Sequence, residues 1–251
     1  MQWFSLIAKI GMAVGPPLVY ADQAFSIVRK KDSTGFSRDV CAILLISNIL
    51  RCFFWIGNRF ETALLVQSLL LIVAQLGLLY ICIHYRPANK PDSYGASSRP
   101  FSFWQWPLYR TYIEFLVALV ICLTILVLIF GQMKVFVSIL GFAALGLEST
   151  LPIPQLISNF KQKSLYGFRA STLLGWLGGD TFKTGYFIWQ QSPIQFTVGA
   201  IFQLSVDIAI VVQRFLYGVA PPAVPLDDDD DLEEALRLAD ASEDIPVNPA
   251  P

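Results

Sequence analysis

The chain has 251 residues, of which 55% are hydrophobic and 15% charged. Its mean hydropathy of +0.55 excludes a water-soluble domain of this length. The formal net charge of −1 conceals two opposite regions, since residues 227 to 244 carry ten acids and one base while the rest carries nine acids and seventeen bases.

Apolar runs of about 20 residues or more, the length that crosses a hydrocarbon core roughly 30 Å thick, divide the chain. They predict an all-α integral membrane fold of seven helices: Gln2–Val28, Ser37–Asn58, Glu61–His84, Leu108–Gly131, Met133–Phe160, Arg169–Gln190 and Pro193–Tyr217. The first run lacks a basic leader and a small-residue cleavage site, so no cleavable signal is expected. Its Gly11-x-x-x-Gly15 pair has the spacing for close helix packing. Pro16 and Pro17 follow and favour a kink, because each removes a helix hydrogen bond.

The first connection carries Arg29, Lys30, Lys31 and Arg38. In the second run, Asn48, Arg51 and Trp55 fall one helical turn apart on one face. Gln67 and Gln75 are the polar residues of the third. The connection after it is rich in Pro, Ser and aromatics, holds Arg86, Lys90, Arg99 and Arg110, and reads as an irregular loop. It ends in a belt of Phe101, Phe103, Trp104, Trp106 and Tyr109, expected to anchor at the membrane interface. Glu114 lies in the fourth run. Glu148 lies in the fifth, just before Pro152 and Pro154, a second hinge pair adjoining Gln155.

After Lys161, Lys163 and Arg169, the sixth run places Asp180, Lys183 and Phe187 at one-turn spacing. Gln203 and Asp207 lie within the seventh. The basic connections are expected on the cytosolic side, with the N-terminus lumenal or exterior and the acidic tail cytosolic and solvated. Cys41, Cys52, Cys82 and Cys122 all lie inside spans without ligand-like spacing, and read as small packing residues. Neither a metal, a cofactor nor a nucleic acid is expected.

One stretch occurs twice. Gln23–Phe36 returns 132 positions later as Gln155–Phe168, with Gln, Ser, Lys, Gly and Phe at matched places. Asn48 with Arg51 and Asp180 with Lys183 then stand at matching depths of the following spans. Duplication predicts a three-plus-one-plus-three chain. Residues 1–85 and 132–217 form two parallel three-helix repeats, 86–107 a cytosolic loop, 108–131 a connector helix, and 218–251 an acidic tail.

Ionisable residues at mid-bilayer cost about 2.5–3.5 kcal/mol each on insertion scales, so they are functional candidates. Asn48, Arg51, Trp55, Glu148, Asp180, Lys183 and Asp207 form the candidate pathway, with Pro16, Pro17, Pro152, Pro154 and Gln155 as candidate hinges. Two readings of the strips stand: a shared cavity or groove, or a buried polar knot that fixes helix packing. Asp180-Thr-Phe-Lys-Thr-Gly185 superficially matches the phosphorylated segment of ion pumps, but it lies mid-span with two extra residues and no soluble nucleotide domain. A Gly-rich phosphate loop is also lacking, so direct coupling to ATP is not expected.

The Pro154–Gln155 dipeptide at a helix end resembles the PQ-loop family, which includes lysosomal cystine and cationic amino-acid exporters and is related to the sugar-transporting SWEETs. The first copy has Asp22–Gln23 where the dipeptide would stand. The segments Asn48-Ile-Leu-Arg-Cys-Phe-Phe-Trp55, Arg59-Phe-Glu61, Leu151-Pro-Ile-Pro-Gln155 and Gly179-Asp-Thr-Phe-Lys-Thr-Gly-Tyr-Phe187 are similar to one subgroup. Those are the Golgi and endosomal PQ-loop proteins of fungi and animals that oppose aminophospholipid flippases. The resemblance covers about residues 10–217. It implies energy-independent phospholipid scrambling, with membrane phospholipids as cargo and a functional link to flippases. The alternative is a secondary transporter of a small polar metabolite, proton-coupled through Asp180, Glu148 or Asp207. A third is an adaptor that restrains a flippase.

Overall fold

The computed structural model describes residues 2–31, 33, 37–85, 104, 106–165 and 170–218. The acidic tail, the 86–103 loop with Phe101 and Phe103, and the Gly–Phe pairs closing each copy of the repeated motif lie outside them. Among the described residues are eight helices and no strand: α1 (Gln2–Lys30), α2 (Arg38–Gly57), α3 (Thr62–His84), α4 (Tyr109–Phe130), α5 (Lys134–Ser149), α6 (Ile153–Gln162), α7 (Ala170–Trp189) and α8 (Ile194–Tyr217).

Seven runs become eight helices because the fifth is broken. Pro152 is the N-cap residue of α6 and Pro154 sits in its first turn, where a missing backbone N–H costs nothing. Pro16 and Pro17, by contrast, lie inside a continuous α1. The two expected hinges are therefore unlike. Among the described residues, five bodies are long and apolar enough to cross a membrane, namely α2, α3, α4, α5 with α6 taken together, and α8.

Helix boundaries follow the 132-residue offset of the sequence. Gln2, Arg38 and Thr62 open helices, as do Lys134, Ala170 and Ile194. The first helical stretch of each half ends on a lysine in left-handed backbone, Lys31 at φ 53° and Lys163 at φ 48°. Beyond it, Ser33 donates its N–H to the carbonyl of Tyr85, and Leu165 to that of Gly218. Each half also packs its first and second helices on its third: α1 and α2 on α3, then α5, α6 and α7 on α8.

The halves meet chiefly where α2 lies on α5. That contact is close because two glycines face side chains there. A Cβ on Gly57 would come within 2.6 Å of Val137, and one on Gly141 within 2.8 Å of the Phe54 ring. In a membrane, where apolar surface gains little by meeting apolar surface, small residues permit the approach that dispersion rewards. Gly11 and Gly15 do not serve this purpose, since a Cβ on either would meet nothing within 4 Å. α4 packs on α2 and α3 and leaves Ile121, Ile125, Leu128 and Ile129 exposed. Trp104 is not an interfacial anchor. It is fully buried against Trp106, Tyr112 and Phe115, with ring centroids 4.8–5.5 Å away. The four cysteines are free; Cys41 and Cys82 are buried, Cys52 is half-buried, and Cys122 is exposed on α4.

Candidate functional site

Arg51 projects from the middle of α2 and is 2% exposed, a position no guanidinium holds without compensation. The close α2–α5 contact delivers it. Glu148, in the last turn of α5, uses Oε2 to ion-pair with Arg51 Nη2. Its other oxygen, Oε1, lies 3.7 Å from Lys183 Nζ on α7. Lys183 Nζ also lies 3.4 Å from Asp180 Oδ1 one turn back, and donates to Gln203 Oε1 on α8 at 2.9 Å. Asp207, also on α8 and 1% exposed, is within electrostatic reach of Asp180 and Lys183. One carboxylate thus joins a base from each half.

Not every expected pathway residue takes part. Asn48 is buried, but its Nδ2 donates to the Leu44 carbonyl of its own helix at 2.8 Å. Trp55 lies beyond the cluster, where its Nε1 donates to the Phe60 carbonyl at 3.0 Å and Arg59 stacks on its ring at 3.8 Å. Phe187, the matching residue of the second strip, is buried against Phe196, whose ring also lies beneath Arg51 at 5.6 Å. Gln155 stays within α6, donating to Asn159 Oδ1 at 2.7 Å, while Gln213 of α8 secures that helix by donating to the Leu156 carbonyl at 3.0 Å.

Beside the ion cluster is a small cleft whose polar walls are Glu148, Ser149, Lys183 and Gln203. Its room is on the order of one water molecule. That is far below a lipid headgroup.

A second polar knot lies nearer the α2–α3 turn. Glu61 accepts from the Tyr186 hydroxyl of α7 and, at 3.1 Å, from Nε2 of Gln190 just beyond that helix, and pairs with Lys9 Nζ of α1 at 3.0 Å. Between the knot and the ion cluster runs an aromatic chain, Phe54–Phe60–Phe196–Phe187, with successive centroids at 5.3, 4.8 and 5.1 Å. Glu61 sits at a span boundary in the sequence, so its depth gave no signal; its three partners are 52 to 129 residues away.

Residues 136–196, which include Glu148, Asp180 and Lys183, match the PQ loop repeat family. Scramblase ANY1 of Saccharomyces cerevisiae is 28% identical to this chain, in a match covering 86% of the chain and 72% of the yeast protein. With helices long and apolar enough to cross a membrane, the chain is an integral membrane protein, and its residues 136–196 are similar to the PQ loop repeat.

Proposed function

We propose that the chain is an energy-independent phospholipid scramblase. The observation that carries this reading is the meeting of Arg51 and Lys183, one from each half, on Glu148 inside an apolar bundle. A headgroup crossing the hydrocarbon core loses its hydration, and charged side chains at that depth return part of it. Each 1.4 kcal/mol removed from the barrier speeds crossing about tenfold. Downhill exchange between leaflets needs no energy source. The yeast relative's name agrees with this activity.

The finer features of the reading hang together. The shared helix offset and packing order support two parallel three-helix repeats joined by α4. The break at Pro152–Pro154 is the hinge that would let α5 move against α6. Basic connections on the cytosolic side put the N-terminus in the lumen and the acidic tail in the cytosol. A Golgi or endosomal location and opposition to aminophospholipid flippases complete the proposal.

The test uses purified protein in liposomes with fluorescent phospholipids and a dithionite quench, without ATP. Quenching beyond the outer leaflet, above protein-free controls, is expected; quenching confined to the outer leaflet would reject the activity. One observation favours a second reading: Asp180, Lys183 and Asp207 are grouped between α7 and α8, as a proton-coupled carrier of a small metabolite such as an amino acid would require. Uptake of radiolabelled amino acids driven by an imposed pH gradient, with no lipid transfer, would establish that alternative.

A further inference from the structure

We propose that Glu148 occupies the slot of a lipid headgroup phosphate, closing it as a resident counter-ion that the cargo displaces. The inference rests on the scramblase reading and names the group that the site recognises.

The geometry divides one carboxylate between two cations. Oε2 faces Arg51 of the first half and Oε1 faces Lys183 of the second. A phosphodiester presents the same pattern, a single negative charge spread over two unbridged oxygens. Arginine and lysine pair with either anion, and phosphate offers further acceptor positions on its oxygens. Arg51 has use for them: its Nε is buried without an acceptor, a donor that the carboxylate leaves unsatisfied. The remaining wall of the slot, Ser149 and Gln203, is polar.

The backbone gives Glu148 a way to leave. It sits in the last turn of α5, directly before Thr150–Pro152, where the helix ladder gives way to shorter turn bonds from the Leu151 N–H to the Glu148 carbonyl and from the Ile153 N–H to that of Thr150. Once displaced, Glu148 joins Asp207 and Asp180 as the carboxylates available to the ammonium of a zwitterionic headgroup. Exchange of one buried anion for another avoids exposing two bare cations to a low-dielectric interior, which would be costly. It also accounts for the small room in the cleft beside the cluster: the anion site is already filled.

The experiment measures binding, not transfer. Full-length protein in detergent is titrated with dihexanoylphosphatidylcholine, with inorganic phosphate, and with dihexanoylglycerol as the phosphate-free control. Wild type is compared with Glu148→Gln and with Glu148→Gln combined with Arg51→Gln. The single variant is expected to bind the phosphatidylcholine about tenfold more tightly than wild type, the double variant to lose that gain, and dihexanoylglycerol to be indifferent. Unchanged affinity in Glu148→Gln, or an equal gain for dihexanoylglycerol, would overturn the proposal. A gain for inorganic phosphate without one for the phosphatidylcholine would assign the slot to a free anion and reject the lipid.

Should Glu148→Gln fail to fold, Lys183→Gln carries the same test. Its phosphatidylcholine affinity is expected to fall about tenfold with dihexanoylglycerol binding unchanged, and parallel losses for both would overturn the inference. A wild type that moves no lipid in liposomes, yet gives the expected binding pattern, would remove the scramblase activity and leave the phosphate slot standing.

Discussion

The two halves set matching side chains at matching depths and use them differently. In the first half's strip, Asn48 turns back onto its own helix, Trp55 is tied to the α2–α3 turn, and Arg51 alone of the three pairs with a side chain of the other half. In the second, Asp180 and Lys183 stay together and Lys183 has three partners, Asp180, Glu148 and Gln203. The first half supplies a single fixed cation; the second supplies an adaptable cluster. A repeated scaffold fixes where a residue stands, whereas its neighbours decide what it does.

Removing the single cation should produce the largest effect. Arg51→Gln leaves Glu148 with only the more distant Lys183, and breaking a buried pair typically costs about 3–5 kcal/mol. Denaturant unfolding should show that loss, and lipid transfer should fall at least about tenfold. Lys183→Gln should cost less in both measurements, because Asp180 and Glu148 keep other electrostatic neighbours. Equal losses would erase the contrast between the halves.

Next comes the seam itself. Gly141→Ala drives a Cβ to 2.8 Å from the buried Phe54 ring, an overpacking that typically costs about 1–3 kcal/mol. Gly15→Ala, where a Cβ meets open space, should be stabilising by up to about 1 kcal/mol through helix propensity. Unfolding midpoints of the pair would test whether close packing belongs to the α2–α5 seam and not to α1.

The Glu61 knot ties α7 to the first half through side chains. Glu61→Leu removes the acceptor of Tyr186 and Gln190 and the partner of Lys9, a loss of about 1–3 kcal/mol. Accessibility of a cysteine introduced at Thr184 in a cysteine-free background should rise with it. If labelling stayed at the wild-type rate, the knot would not hold α7.

Smallest of all is Trp55→Phe, which removes one hydrogen bond to the Phe60 carbonyl and should cost about 1 kcal/mol. Lipid transfer should persist; its loss would return Trp55 to the pathway and make the two strips alike after all.

Much of this was legible before any coordinates. Run length and mean hydropathy gave most of the helices, and the 132-residue echo gave the common offset of their starts. These are local or periodic properties, and backbone hydrogen bonding inside an apolar medium forces them into helices. Glu148 stood out as a mid-span acid, but its role as the bridge did not, because its partners lie 97 and 35 positions away. Proline content suggested two equal hinges. Only packing separated a continuous α1 from the α5–α6 break.

The sequence by itself thus determined most of the helices and the common offset of their starts, since both follow from spacing along one strand of chain. Tertiary structure alone decided which glycines touch a neighbour, which aromatic rings are buried, and which base meets which acid. The reason is physical: Coulomb energy and steric contact fall off within a few ångströms, so a pair's meaning depends on distances across the bundle that spacing along the chain does not encode.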